Sequence, residues 1–197
     1  LRFASRLWMP LKDEIVVIGG GNVAMDAARV SRRMGADVEI LYRRRIQDMP
    51  ADPEEILESQ QEACRIVTQA IPVEIRNAEE PGRVMIRWGE AEMVDDPKGG
   101  RPRPVLQEDR IHEETYDSII SAIGQVGDYD FIPPAQLQQL DSKWGKFLPE
   151  EYQRTALEKV FVGGDIANNT ADAISAIEDG HHAARGIDRY LATGVQV

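Results

Sequence analysis

The chain has 197 residues, enough for one full hydrophobic core or for one domain and part of a second. A formal charge of −11 and a pI near 4.8 exclude a general affinity for nucleic acid or anionic membrane, both of which require a basic surface. Apolar runs such as "IVVIGG" and "SIISAIG" fall far short of the roughly 20 residues of a membrane span, so the reading is a soluble protein without a membrane partner.

After the opening "LRFASRLWMP", residues 14 to 18 (EIVVI) form an unbroken β-branched run bounded by glycines, which predicts a strand covered on both faces. From residue 22 to 34 the period changes: Val23, Ala27, Val30 and Met34 recur at helical spacing, and Gly35 stands where a left-handed C-terminal cap belongs. A second apolar strand follows at residues 37 to 42 (DVEILY). Strand, glycine loop, helix and strand make a βαβ unit, which requires a right-handed crossover in a parallel sheet. Residues 53 to 62 predict a short helix with Pro53 in its first turn, then strand-like "RIVTQ" and "VEIRNA". Between about residues 83 and 109, partial alternation and a Pro-Gly-rich tip predict an antiparallel hairpin or three-stranded meander, an insertion without chemistry of its own. "YDSIISAIG", residues 116 to 124, reads as another buried strand. Residues 125 to 158 are rich in Pro, Gln and charge and predict a mostly irregular connection. The strand "KVFVGG" and a helix from Ala171 to Leu191 close the chain, the helix carrying an apolar stripe of Ile174, Ile177, Ala184, Ile187 and Leu191. The fold class is α/β. A boundary is expected near residue 126, with residues 1–126 forming one domain and residues 127–197 a separate segment.

The chemistry-bearing motif is Gly19-x-Gly21-x-x-Ala24, between strand and helix. The first glycine permits a tight turn, the second lets the backbone approach a pyrophosphate, and the small third residue lets helix and strand pack closely. The helix N-terminus adds free N–H groups and a partial positive charge. The competing reading is a merely structural turn, but the strand, helix and next strand all fall in register. An NAD site places an acidic residue about 20 positions after the glycines to hold the ribose hydroxyls. Here Tyr42-Arg43-Arg44-Arg45 stands at that strand end, and guanidinium forks suit a 2′-phosphate, so the nucleotide is read as NADP(H) and residues 1–126 as a Rossmann-like NAD(P)-binding domain. Glu39 remains as the acidic alternative, although it lies inside the strand; the arginines remain open to reading as a solvated turn.

The motifs "GGGNVAMDAAR", "LYRRRIQDMPADPEEI", "SAIGQ" and "VFVGGDIANNTADAISAIEDGHHAARGIDRYL" occur in this order along most of the chain. Together they resemble the small (beta) subunit of NADPH-dependent glutamate synthase and its relatives, among them the NADPH-binding part of dihydropyrimidine dehydrogenase and ferredoxin–NADP transhydrogenase subunits. The resemblance is weakest between residues 127 and 158. It implies a two-dinucleotide flavoprotein in which an NADPH domain is inserted into an FAD domain, with hydride passing from nicotinamide to flavin and electrons passing on to iron–sulfur partners. The cofactors would do the chemistry, so no side-chain acid or base is assigned. By position, Gly19, Gly20, Gly21, Asn22 and Val23 would form the pyrophosphate loop, and Arg43 and Arg44 would meet the 2′-phosphate. Ala122, Ile123 and Gly124 would line the path between the nucleotides. Gly164 and Asp165 would lie against the FAD ribitol and pyrophosphate. Ala171, Asp172 and Ala173 would point helix N–H groups at the flavin pyrimidine edge.

The family's cysteine-rich cluster domain and first glycine-rich FAD fingerprint have no counterpart here. The expectation is therefore a fragment or split-gene product that holds the NADPH site and the closing segment of an FAD-binding domain. Such a chain would need the other FAD half and an iron–sulfur subunit or domain as partners, and would not hold FAD alone. Asp165 would then face solvent or cap the turn before the last helix. The alternative function is a non-catalytic NADPH-binding or interaction module; a stand-alone dehydrogenase is weaker, because no residue set supplies a proton-transferring pair. Cys64 is the only cysteine, so no internal disulfide or cysteine-ligated cluster is possible, and a reducing, cytoplasmic setting fits. His112, His181 and His182 lack carboxylate or cysteine partners at ligand spacing and read as surface or interface residues rather than a metal site. Cys64 reads as a small semi-buried hydrophobe, Trp88 as packing, and Glu90, Glu92, Asp95 and Asp96 as a solvated face.

Overall fold

The computed structural model describes residues 14–95, 100–125, 127–143, 145–168 and 172–194. It divides into two compact units, Leu1–Gly124 and Gln125–Val197.

In the first unit β1 (Glu14–Ile18), α1 (Asn22–Arg33), β2 (Asp37–Tyr42), α2 (Pro53–Gln61) and β3 (Arg65–Thr68) follow in order. The antiparallel strands β4 (Ala70–Asn77), β5 (Val84–Val94) and β6 (Arg103–Tyr116) come next, then β7 (Ser118–Ser121). The parallel sheet has the order β3-β2-β1-β7, which places β1 between two neighbours. The meander has the order β4-β5-β6. It is longer than the expected hairpin at residues 83 to 109, because the strand-like "VEIRNA" is its first member and its last strand runs on to Tyr116.

Strand residues alternate between faces, and both faces of the parallel sheet are covered. Ile15, Val17, Val38, Ile40 and Tyr42 pack with Ala24, Met25 and Ala28 of α1. Val16, Ile18 and Leu41 pack instead with Ala70, Ile86, Trp88 and Tyr116 of the meander. This two-sided burial explains the unbroken apolar text of "IVVI". The meander is thus the second lid of the core, and Trp88 serves packing.

Helix α1 corrects the expected apolar stripe. Val23, Val30 and Met34 are exposed, whereas Ala24, Met25, Ala28 and Ser31 are buried. The helical period holds, but small alanines rather than branched valines face the sheet, because they let the helix axis approach it. Gly35, with φ +102°, follows the helix in the left-handed region as expected. Asp52 caps α2 by accepting a hydrogen bond from Glu54 N–H at 2.9 Å, and Pro53 opens that helix. Helices α1 and α2 are tied by Arg29, which meets Glu55, Glu58 (2.6 Å) and Glu62 (3.0 Å). Cys64 is buried, and burial pushes its thiol pKa up, which makes it an inert core residue.

The strand expected over residues 116–124 is shorter. β7 ends at Ser121, so Ala122, Ile123 and Gly124 lie beyond the ladder, where β1 has no further residues to pair.

The second unit contains α3 (Pro134–Leu137), the two-residue strands β8 (Ser142–Lys143) and β9 (Lys146–Phe147), and α4 (Ala173–Thr193). The expected strand "KVFVGG" does not form. Phe161 makes one isolated antiparallel bridge with Arg154, and no other strand among the described residues pairs with this segment. An apolar run becomes a strand only when a neighbour satisfies its backbone groups. Helix α4 starts at Ala173, and Ala171 lies outside the described residues. Gly186 is buried: a Cβ there would come within 2.8 Å of Tyr152 O and 2.9 Å of the Phe161 ring. The expected stripe occupies another face, with Ile174 at 80% and Leu191 at 76% exposure. Among the described residues no helix is long and apolar enough to cross a membrane.

Candidate functional site

The glycine loop leaves the C-terminal end of β1, where parallel sheets present ligands. Gly19 has φ +150°, and its N–H donates to Leu41 O at 3.0 Å. A Cβ there would lie 2.3 Å from Ala122 O, so only glycine fits beside the chain leaving β7. At Gly20 the constraint is different: a Cβ would lie 2.4 Å from the Tyr42 ring. Gly21 is the open member, with Pro50 Cγ at 4.0 Å as the nearest atom to a Cβ. Its carbonyl accepts from Ala24 N–H (2.9 Å) and Met25 N–H (3.2 Å), starting α1. No side chain caps this helix and no acidic residue occupies its first turn. The Asn22 and Val23 N–H groups, which have no intrahelical acceptor, and the partial positive charge of the helix end remain beside the glycines, which suits a phosphate.

The arginine tract follows β2 directly. Arg43 is exposed and makes no hydrogen bond or ion pair among the described residues. Arg44 is half-buried, and its Nε is buried without a hydrogen-bond partner. Arg45 is already committed: its Nε reaches Asp48 Oδ2 at 2.8 Å, and this guanidinium holds the Asp48 carboxyl below the usual carboxylate range. Of the three arginines, the structure leaves the two that the sequence assigned to the phosphate with unused donors. Their residue types and unused donors fit a 2′-phosphate.

Glu39, the acidic alternative, lies within β2, away from the glycine loop. Its side chain is buried under the meander, where it accepts from Tyr116 Oη at 3.0 Å and pairs with Arg65. Desolvation and the neighbouring Glu114 carboxylate push its pKa up, against the lowering effects of Tyr116 and Arg65. An open depression of about 500 Å³ is lined there by Glu14, Asp37, Glu39, Arg65, Glu114 and Tyr116. It lies at the N-terminal ends of the parallel strands, and its surplus of carboxylates repels phosphate.

Asn22 and Val23 occupy the first turn of α1. Val23 is 70% exposed, whereas the Asn22 Oδ1 accepts from Asp52 N–H at 2.8 Å. Ala122 donates its N–H to Ile18 O at 2.8 Å, Ile123 is 76% exposed, and Gly124 has φ +101° with open space around it.

In the second unit Gly164 has φ +76°, and its N–H donates to Asp179 Oδ2 at 2.9 Å. That carboxylate also receives Asn168 Nδ2 (2.8 Å) and Gln153 Nε2 (2.7 Å). Asp179, which sequence reasoning missed, is thus the organiser of the Gly-Gly-Asp turn; its place on the face of α4 that carries Gly186 was the available signal. Asp165 is exposed and has no hydrogen bond among the described residues. The capping role considered for it falls to Asp172, which accepts from Ser175 N–H at 2.8 Å. Ala173 supplies the first helical N–H, which has no intrahelical acceptor. For a flavin, the fit is partial: the Asp165 carboxylate and the Ala173 N–H are available, but the Gly164 N–H is engaged.

Residues 2–184 match the family model described as pyridine nucleotide-disulphide oxidoreductase. The chain belongs to this family. Among curated relatives, the beta subunit of NADPH-Fe(3+) oxidoreductase from Geobacter sulfurreducens is 33% identical over 92% of this chain and 30% of that protein. The small chain of NADPH glutamate synthase from Azospirillum brasilense is 31% identical over 89% of this chain and 36% of that protein. This family member therefore spans about a third of the length of those relatives. Thioredoxin reductase from Lactococcus lactis superposes with a TM-score of 0.73 at 19% identity, covering 92% of this chain and 54% of that one, a likeness of fold.

Proposed function

We propose that the chain is the NADPH-binding portion of a flavin-dependent oxidoreductase of the glutamate synthase small-subunit type. Residues 1–126 bind NADP(H), and residues 127–197 are the closing segment of an FAD-binding domain. The reading rests on one observation above the others: the strand that leads into the Arg43–Arg44 pair lies beside the strand that leads into an uncapped, glycine-lined helix N-terminus. The relatives named for NADPH support it. When bound, the nicotinamide supplies a hydride that the flavin accepts. The residues of this chain bind and orient. Gly21 and the backbone N–H groups at the start of α1 hold the pyrophosphate, Arg43 and Arg44 the 2′-phosphate, and Ala122 to Gly124 the space between the nucleotides. Iron–sulfur partners would take the electrons onward, and Asp165 with the start of α4 would meet an FAD carried with the remaining FAD-domain half.

Titration with NADPH and NADH tests the nucleotide choice. Arg43→Ala with Arg44→Ala should weaken NADPH by about 1.5–3 kcal/mol per lost charge-assisted bond while leaving NADH nearly unchanged. Equal affinity of the unaltered chain for both nucleotides would refute the 2′-phosphate assignment. Adding a flavin-loaded partner should give NADPH-dependent bleaching of flavin absorbance; its absence would favour the non-catalytic nucleotide-binding module.

A further inference from the structure

Residues 43–52 turn back toward the glycine loop instead of running outward. The Tyr42 hydroxyl donates to Asp48 O at 2.7 Å, fixing the middle of the segment to the residue that precedes Arg43. Ala51 N–H donates to Gly20 O at 3.1 Å, and Asp52 N–H donates to Asn22 Oδ1 at 2.8 Å. Met49 and Ala51 are buried in the core cluster between sheet and helices, so the segment is anchored by packing as well. The Tyr42 ring fills the space over Gly20 that any side chain there would need. The Tyr42 hydroxyl thus gives its one proton to this segment, and the Asn22 Oδ1 accepts from it.

We propose that Tyr42 and Asn22 are positioning residues for nucleotide discrimination: they strap the arginine segment to the pyrophosphate loop, so that the 2′-phosphate and pyrophosphate sites form one rigid surface. The inference rests on the NADPH reading above. Without the strap, Arg43 and Arg44 must be ordered during binding, and that entropic cost falls only on the nucleotide that uses them. Gly20 is then glycine for the sake of Tyr42, and only through Tyr42 for the sake of the nucleotide.

The test uses the full chain and its Tyr42→Phe and Asn22→Ala variants, each titrated with NADPH and NADH. A thermal melt checks that each variant is folded at the temperature of titration. Each variant should lose about three- to ten-fold in NADPH affinity, as expected for one lost hydrogen bond, with NADH changed by less than about two-fold. Asn22→Asp keeps an acceptor for Asp52 N–H but brings a negative charge to the helix N-terminus. It should therefore weaken both nucleotides while preserving their ratio. Equal weakening of both nucleotides by Asn22→Ala and Tyr42→Phe would overturn the strap and return Asn22 to a direct pyrophosphate contact. So would affinities that do not change in either variant. The unaltered chain tests the parent reading separately: if it does not prefer NADPH, the arginine assignment fails, whatever the variants do.

Discussion

Two stretches of this chain carry nearly the same text, an apolar run that ends in glycines and then a helix, and they fold differently. "EIVVIGGGNVAMD" becomes the central strand of a parallel sheet, with β2 and β7 on either side and apolar layers on both faces. "KVFVGGDIANNTADAIS" yields a single bridge at Phe161, a short turn at Gly164–Ile166, and a helix whose apolar stripe is exposed. The local pattern is a necessary condition for a strand, and a hydrogen-bonding neighbour supplies the rest. The two glycine turns differ in the same way: Gly19 is pressed against Ala122, whereas a Cβ at Gly164 would meet only Ala176 Cβ, at 3.8 Å.

Substitutions can break this comparison. Ile40 is fully buried, and Ile40→Ala should cost about 3–4 kcal/mol by chemical denaturation, since it leaves a cavity between sheet and helix. A loss below about 1 kcal/mol would mean that the first unit is not packed as described. Gly19→Ala should cost about 3 kcal/mol, from backbone overlap at Ala122 O together with its φ. By contrast Gly164→Ala should cost only about 1 kcal/mol, the penalty of a left-handed residue without a clash. Comparable losses at the two glycines would erase the distinction.

A pH experiment sharpens it further. Burial and Glu114 raise the folded-state pKa of Glu39. A carboxyl with a raised folded pKa favours the folded state below its unfolded value, and that contribution disappears as pH rises through the folded value. Glu39→Gln should therefore flatten the decline in stability from the ordinary glutamate range upward, as read from melting temperature against pH; an unaltered slope would refute the buried placement. Last and smallest, Ile174→Ala on the exposed stripe of α4 should change stability by no more than about 0.5 kcal/mol. A larger loss would show that this face is covered in solution.

Much of the candidate site was legible in the chain. The glycine spacing, the helix after it, the left-handed Gly35 and the arginines at the end of β2 all depend on residues within a few positions of one another. Their order follows from the short βαβ path, whereas the close fit at Gly19 depends on Ala122, far along the chain. Less was legible where the outcome depends on distant partners. Val23, Val30 and Met34 have the helical period, but the sheet selected the face one step round, at Ala24 and Ala28, because closeness of approach mattered more than hydrophobicity. Glu39 reads as a possible ribose ligand until Tyr116, 77 residues later, closes over it. Nothing near Gly164 announces Asp179.

The sequence by itself determined the family, the glycine loop and the arginine pair, because these are encoded in short-range order. Only the tertiary structure decided that Arg45 is tied to Asp48, that Tyr42 and Asn22 hold the arginine segment down, and that residues 159–163 remain without a ladder. Each of these depends on which backbone and side-chain groups meet in space, and the chain's own periodicity carries no record of that.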